Sequence, residues 1–392
     1  QKYKYLTSLV HALDTWNNLY PTIDTSMAAL TINLCFQVDS SQIVDDEVWK
    51  KLPYLCLEEV STVTLLGCGE KDRLVVVTTT NGSHMLMHLY YHGLVTLDIQ
   101  HYQADKERIR QGASPYTPQY IKIMEERIKK YLGESCQFSR SIMSPIKRGQ
   151  VCPYFNNGGN ALFEYGSLEL IFEKDSQHQN IKIYKTEDMG KILCLDDELM
   201  IGDKDIIYTE TLLGVERNNF QDKTILILGG GDGGLLHELR KYHPRHVLLV
   251  EIDKEVVQAC RTHLRGVCGD SLDQLEGNNY QVLINNCVNV LDECVKNGRA
   301  FDYVVNDLSE YLVGTNIGHA YDLETSSVII ELSMIILKPG GKYLSRGECA
   351  SAREHLQRFE NEMRSLNLNF STFKIDVPSF KEPYYTYEIW KP

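Results

Sequence analysis

The spacing of apolar residues changes character along the chain. From about residue 204, continuous apolar runs alternate with helically spaced ones. "KTILIL" leads to "GLLHELRKY", "HVLLVEID" to "KEVVQACRTHLR", and "FDYVVNDL" to "ETSSVIIELSMIILK". "GGKYLSRG" follows, and "FSTFKIDVPS" lies near the end. Apolar strands separated by helices predict right-handed βαβ units and a mainly parallel sheet covered on both faces. A doubly wound α/β domain is therefore expected over residues 204–392. No internal repeat or low-complexity tract interrupts it.

Upstream, period-two alternation dominates. "RLVVVTTTNGSHMLMHLY" reads as two strands around Asn81-Gly82, a strong hairpin signal. "MAALTINLCFQV" and "HGLVTLDIQ" add strands. "TPQYIKIMEERIKKYLG" predicts a helix with Thr117 as cap, Pro118 in the first turn and Gly133 at the stop; Ile121, Met124, Ile128 and Leu132 share one face. These elements make an α+β unit over residues 1–140. Pro, Gly, Ser and Asn crowd residues 136–160, which read as a linker. "ALFEYGSLELIFEKD", "NIKIYKTED" and "GKILCLDDELMI" then predict a small β domain over residues 150–203.

Composition narrows the function classes. A formal charge of −13 argues against general nucleic-acid binding. No apolar run is long enough for a membrane span. The first twenty residues lack a signal-peptide core, and the eleven cysteines show no CxxC pairing, which points to reduced thiols and a cytoplasmic setting. The first residue is Gln1, so a short native segment is expected before it. His84, His88 and His92 recur every four residues, but their segment has strand character and a metal stripe is set aside.

The candidate chemistry starts at "ILILGGGDGG". Gly229, Gly231 and Gly234 form G-x-G-x-x-G between a strand and a helix, and the next strand ends in Glu251, placed to accept hydrogen bonds from a ribose diol. Asp232 sits inside this turn. Against a pyrophosphate it would meet like charge, at a cost of about 4 kcal/mol at 4 Å and an effective dielectric of 20. The turn suits a nucleoside bearing positive charge; Asp232 can also cap the following helix. Asp307 ends "FDYVVND" at the same predicted sheet edge. Two carboxylates without an evident basic neighbour suggest cation binding with proton transfer.

These residues resemble the polyamine aminopropyltransferases. The matching pieces, in family order, include "DSQHQNIKIYKTEDMGKILCLDDE", "DIIYTETLLG", "TILILGGGDGG", "VLLVEIDKEVV", "FDYVVNDL", "LKPGGKYLSRGEC" and "VPSFKEP". "HGLVTLDIQHY" and Glu382 tilt the resemblance toward the spermine synthases. It implies a Rossmann-like, methyltransferase-type α/β catalytic domain behind a small β domain, with an α+β N-terminal domain resembling S-adenosylmethionine decarboxylase that forms a homodimer. The reaction implied transfers an aminopropyl group from decarboxylated S-adenosylmethionine to spermidine, giving spermine and methylthioadenosine, with neither metal nor cofactor. By position, Gln179, Gly229, Gly231, Glu251 and Asp253 would hold the donor, with Asn286 and Cys287 at its adenine. Tyr208, Asp232, Phe380 and Glu382 would hold the polyamine, and Asp307 would accept the proton.

Three departures bear on that expectation. Asn286 replaces an acid, Phe380 replaces a tyrosine, and "SEYLVGTNIGHAYD" after Asp307 differs from the family pattern. A spermidine synthase or relaxed aminopropyltransferase stays open, as does a silent nucleoside-binding relative. A methyltransferase is disfavoured, because Asp232 would face the intact methionine carboxylate.

Overall fold

The computed structural model describes residues 29–68, 71–102, 118–141, 146–148, 152–156, 162–166, 168–308 and 323–392. It divides into two compact units, one ending at Cys152 and one running Pro153–Pro392.

The first unit is an antiparallel sheet of β1 (Ala29–Val38), β2 (Val60–Cys68), β3 (Asp72–Thr79), β4 (His84–Leu89), β5 (Leu94–Tyr102), β6 (Cys136–Ser141) and β7 (Ile146–Arg148). Its order is β2-β3-β4-β5-β1-β6, with β7 also on β1. The period-two pattern has the expected result. Leu30, Ile32, Leu34 and Phe36 of β1 turn to one face with Val75, Val77, Met85, Met87, Leu97 and Ile99. The helix Pro118–Leu132 adds Ile121, Met124, Ile128 and Leu132 to the same core. Thr117, expected to cap that helix, lies outside the described residues. Gly82, at φ +84°, makes the hairpin between β3 and β4. His84 and His88 lie on strand β4, and His88 stacks on Tyr90 with ring centroids 4.1 Å apart. The linker expected over 136–160 is corrected: β6 pairs along β1, and β7 continues on the same strand.

The second unit opens with a short hairpin, β8 (Tyr154–Asn156) and β9 (Leu162–Glu164). An antiparallel meander follows: β10 (Leu168–Asp175), β11 (Asn180–Thr186), β12 (Gly190–Leu195) and β13 (Glu198–Gly202). Asp196 and Asp197, at φ +49° and +65°, turn β12 into β13, matching the primed turns that fit twisted strands. The main sheet comprises β14 (Thr224–Gly229), β15 (His246–Glu251), β16 (Glu276–Gly277), β17 (Tyr280–Ile284), β18 (Phe301–Asp307), β19 (Leu337–Cys349), β20 (Asn369–Asp376) and β21 (Pro383–Trp390). Its order is β16-β17-β15-β14-β18-β19-β21-β20.

Strands β17, β15, β14, β18 and β19 pair in parallel, and the expected βαβ alternation holds. Ile225 and Ile227 pack with Leu235 and Leu239 of the helix Gly234–Arg240. Leu226 and Leu228 face Leu291 and Ile330 on the other side. Burial on both faces explains why β14 reads as an unbroken apolar run. Ile181, Ile183, Leu193 and Ile201 of the meander join the first of these cores. The terminal strand β21, not expected from the sequence, enters antiparallel between β19 and β20. The strand order reverses at β14, so a crevice opens at the ends of β14, β15 and β18. Gly229, Glu251 and Asp307 are their last residues.

Candidate active site

The glycine turn is shaped by close approach. Gly229 has φ +78°, and a Cβ there would lie 2.6 Å from the Asp307 carbonyl oxygen. Gly231 does not need a positive φ. Its constraint is Glu251, whose Cγ and Oε2 would lie 2.6 Å from an added Cβ. The Gly231 amide donates to Glu251 Oε2 at 3.0 Å, and the Asp253 amide donates to Oε1 at 2.9 Å. Burial pushes the Glu251 carboxyl up to about 7, against those two amide bonds. The Ile252 amide also bonds this carboxylate, which leaves one of its roughly four acceptor sites for a diol.

The expectation that Asp232 caps the next helix is refined: the N-cap is Gly233, and Asp232, one residue earlier, accepts at Oδ1 from the first helical amide, Gly234, at 2.8 Å. Burial raises its pKa, opposed mainly by that bond. Asp307 is its electrostatic partner. Burial and then the Asp232 charge push the Asp307 carboxyl up to about 7, while Arg346 and the Tyr208 hydroxyl oppose the rise. Tyr208, buried on the helix Ile206–Leu213, donates its hydroxyl to Asp307 Oδ1. The structure therefore brings Asp232, Asp307 and Tyr208 together.

It also corrects the expectation that this acidic pair has no basic neighbour. Arg346 of β19 interacts with both carboxylates. Its Nε donates to the Tyr384 hydroxyl at 3.0 Å, and that hydroxyl donates to the Gly347 carbonyl at 2.7 Å. Glu348, buried next to it, accepts from the Cys349 amide at 2.9 Å. Neither Arg346 nor Glu348 has a local sequence signal. Their place follows from the pairing of Asn306 with Ser345 in the β18–β19 ladder.

Asp253 is more engaged than expected. It caps the helix Lys254–His263 through the Glu255 amide at 2.9 Å. Its other oxygen accepts from Ser176 Oγ at 2.6 Å and Gln179 Nε2 at 3.1 Å, tying the β10–β11 turn to the sheet edge. Asn286 is exposed and caps the helix Cys287–Lys296, accepting from the Val288 amide at 2.8 Å. Burial pushes the Cys287 thiol up to about 11, so it stays protonated.

The "VPSF" loop is fixed by a residue that the sequence did not single out. Buried Asp205 accepts from the Gly202 amide at 2.6 Å and the Ser379 amide at 2.9 Å. Tyr165 donates to the Ser379 carbonyl at 2.6 Å. Phe380 is thereby held with its ring centroid 6.3 Å from Tyr208 and 5.1 Å from Tyr384. Glu382 accepts from the Ser351 amide at 3.1 Å and the Ser351 hydroxyl at 2.9 Å. The segment 309–322, whose sequence departs from the family pattern, lies outside the described residues.

Residues 205–392 match the model of the spermine/spermidine synthase domain, and residues 157–202 match that of the spermidine synthase tetramerisation domain. A polyamine aminopropyltransferase of Pectobacterium carotovorum subsp. carotovorum is 30% identical over 228 residues, covering 55% of this chain and 76% of that protein. One from Yersinia pestis is 26% identical over 222 residues, covering 55% and 71%. The crystal structure of spermidine synthase from Thermotoga maritima superposes with a TM-score of 0.51 at 20% identity, covering 62% of this chain and 79% of that one, and shows the shared fold. Among the described residues, no helix is long and apolar enough to cross a membrane.

Proposed function

We propose that this chain, which belongs to the polyamine aminopropyltransferase family, transfers an aminopropyl group from decarboxylated S-adenosylmethionine to spermidine, giving spermine and methylthioadenosine. The observation that carries the reading is Asp307, raised to about 7 beside Asp232 and hydrogen-bonded by Tyr208 at the end of the central strands. An alkylamine has a pKa near 10.4 and is inert while protonated. Its lone pair attacks the methylene next to the sulfonium, the C–S electrons stay on sulfur, and Asp307 takes the surplus proton. A carboxyl titrating near neutrality is suited to that exchange.

Glu251 would hold the ribose, and Gln179 and Asp253 would close that side of the donor. The Asn286–Cys287 segment would lie along the adenine. Because Asn286 Oδ1 already accepts from the Val288 amide, its bond to an adenine amino group would be a second and weaker one. Asp232 would anchor the aminopropyl ammonium. Tyr208, Phe380 and Tyr384 would line the methylene stretches and exclude water.

Glu382 would meet the far ammonium of spermidine. Glu382→Ala is expected to lower kcat/KM for spermidine by about 10–100-fold, the scale of one charge-assisted hydrogen bond. Use of putrescine, which has one amine fewer, should hardly change. Equal losses in steady-state kinetics would remove the assignment.

The alternative is a spermidine synthase or relaxed enzyme, supported by the match of residues 157–202 to the spermidine synthase tetramerisation domain. Product analysis with decarboxylated S-adenosylmethionine and either putrescine or spermidine separates the two. Absence of product with both would leave a nucleoside-binding relative. An N-terminal domain like S-adenosylmethionine decarboxylase, a homodimer built on it and a cytoplasmic location complete the proposal. The match to a tetramerisation domain supports an oligomer, and native mass measurement tests it.

A further inference from the structure

We propose that Arg346 is a selectivity residue of the acceptor site: a fixed guanidinium that favours the reacting amine as its free base and opposes additional ammonium groups. The inference rests on the aminopropyl-transfer reading and deepens it.

The backbone places the charge. Asn306 and Ser345 pair across the β18–β19 ladder, and their side chains hydrogen-bond at 3.1 Å in the core. The next residue on each strand, just past this last paired step of the ladder, is Asp307 and Arg346, and the Arg346 charge acts on the Asp307 carboxyl. Gly347 approaches β21 so closely that a Cβ there would lie 2.4 Å from the Tyr385 carbonyl oxygen. The Tyr384 hydroxyl, spent as a donor on the Gly347 carbonyl, accepts from Arg346 Nε. The Tyr384 ring lies 5.7 Å from that of Tyr208, whose hydroxyl binds Asp307. The guanidinium is thus pinned on the wall that carries the proposed base.

Its charged and titratable neighbours are Asp232 from the glycine turn, Asp307 from β18, Tyr208 from the helix Ile206–Leu213, Tyr384 from β21, and Glu348 and Cys349 from β19. Carboxylates attract an amine but hold its proton. A guanidinium, charged at every working pH, does the reverse. Two unit charges about 6 Å apart at an effective dielectric of 20 shift an amine pKa by about two units. The proton that leaves nitrogen then goes to Asp307, the new C–N bond forms, and the C–S bond breaks to a neutral thioether.

The test is calorimetric titration of spermidine into protein saturated with methylthioadenosine. It is run at pH 9, above the lowered amine pKa of about 8.4 and below the free value of about 10.4, in two buffers of different ionisation enthalpy, so that released protons are counted. Wild type should release a proton on binding. Arg346→Gln should release fewer and bind spermidine about 10–100-fold more tightly, and its turnover should need a more alkaline pH. Arg346→Lys should restore the wild-type proton count. Tyr384→Phe, which frees the guanidinium without removing it, should shift in the Gln direction by less, and serves if Arg346→Gln does not fold. Unchanged proton release and affinity, or weaker spermidine binding in Arg346→Gln, would overturn the proposal. Absence of turnover by wild type overturns the transferase reading alone; Arg346 is then still judged by whether Arg346→Gln gains spermidine affinity.

Discussion

Asp307→Asn should lower kcat by about 10²–10⁴-fold, the range a positioned base supplies, with no change in the Kd for methylthioadenosine. Asparagine keeps the shape of the side chain and can still accept from the Tyr208 hydroxyl, but it cannot take a proton from an ammonium. The same substitution carries a stability signature. The Asp307 carboxyl is raised from 3.8 to about 7 on folding, so the folded chain holds its proton more firmly than the unfolded chain does. That contribution is fully present below about pH 4 and is lost as the pH rises through about 7. Asp307→Asn does not titrate. Its Tm should equal or trail that of wild type at pH 5 and exceed it at pH 8, by about 2–4 °C per kcal/mol relieved. Glu251, also raised to about 7, remains in both proteins, while Asp232 loses its coupled neighbour in the variant, so the difference between them reports the Asp232–Asp307 pair. A variant with near-wild-type turnover would remove Asp307 from the mechanism.

Asp307 was readable from sequence because its position is local. An apolar strand ending in an acid, within an alternation of strands and helices, is enough to place it at a ligand edge. Gly229, Gly231 and Glu251 were readable for the same reason. Arg346 was not. It lies far along the chain from Asp307 and meets it only through the parallel register of β18 and β19, which no residue near either position records. Tyr384 is readable as a neighbour of Phe380 and Glu382, but its hold on Arg346 depends on β21 entering the sheet antiparallel, beyond a Pro- and Ser-rich turn that masks the period-two pattern after it. Asp205 looks from sequence like any loop acid, yet it joins Gly202 to Ser379. The strand β6 failed for a related reason. "CQFSRS" has little apolar content, and it becomes a strand because β1 presents backbone partners along that edge.

The positive charge missed in the sequence changes how the site balances. Asp232 and Asp307 alone would bind an ammonium well and keep it protonated. On the proposed reaction, with Arg346 on the same wall, attraction would come from acids farther along the substrate, such as Glu382, while the reacting nitrogen would meet a mixed field. Binding and deprotonation are then divided between different residues, as the high pKa of an alkylamine requires.

Gly231→Ala should weaken methylthioadenosine binding by about 100-fold or more, with the fold retained. The added methyl would sit 2.6 Å from both Cγ and Oε2 of Glu251. Backbone strain is not the cause, because the Gly231 φ lies outside the left-handed region. The carboxylate must move, breaking its bond from the Gly231 amide and losing the alignment of its remaining acceptor site toward a ribose diol. Loss of two charge-assisted hydrogen bonds, each worth about 1.5–3 kcal/mol, accounts for the expected drop. Gly298→Ala is the matched control. It has φ +63° and open space around its Cβ position, so it should cost about 1 kcal/mol of stability and leave binding untouched. Equilibrium titration of both variants, with melting curves alongside, separates displacement of Glu251 from a general loss of fold. If Gly231→Ala binds methylthioadenosine as tightly as wild type, the nucleoside does not rest on Glu251, and the donor must be sought elsewhere along the crevice.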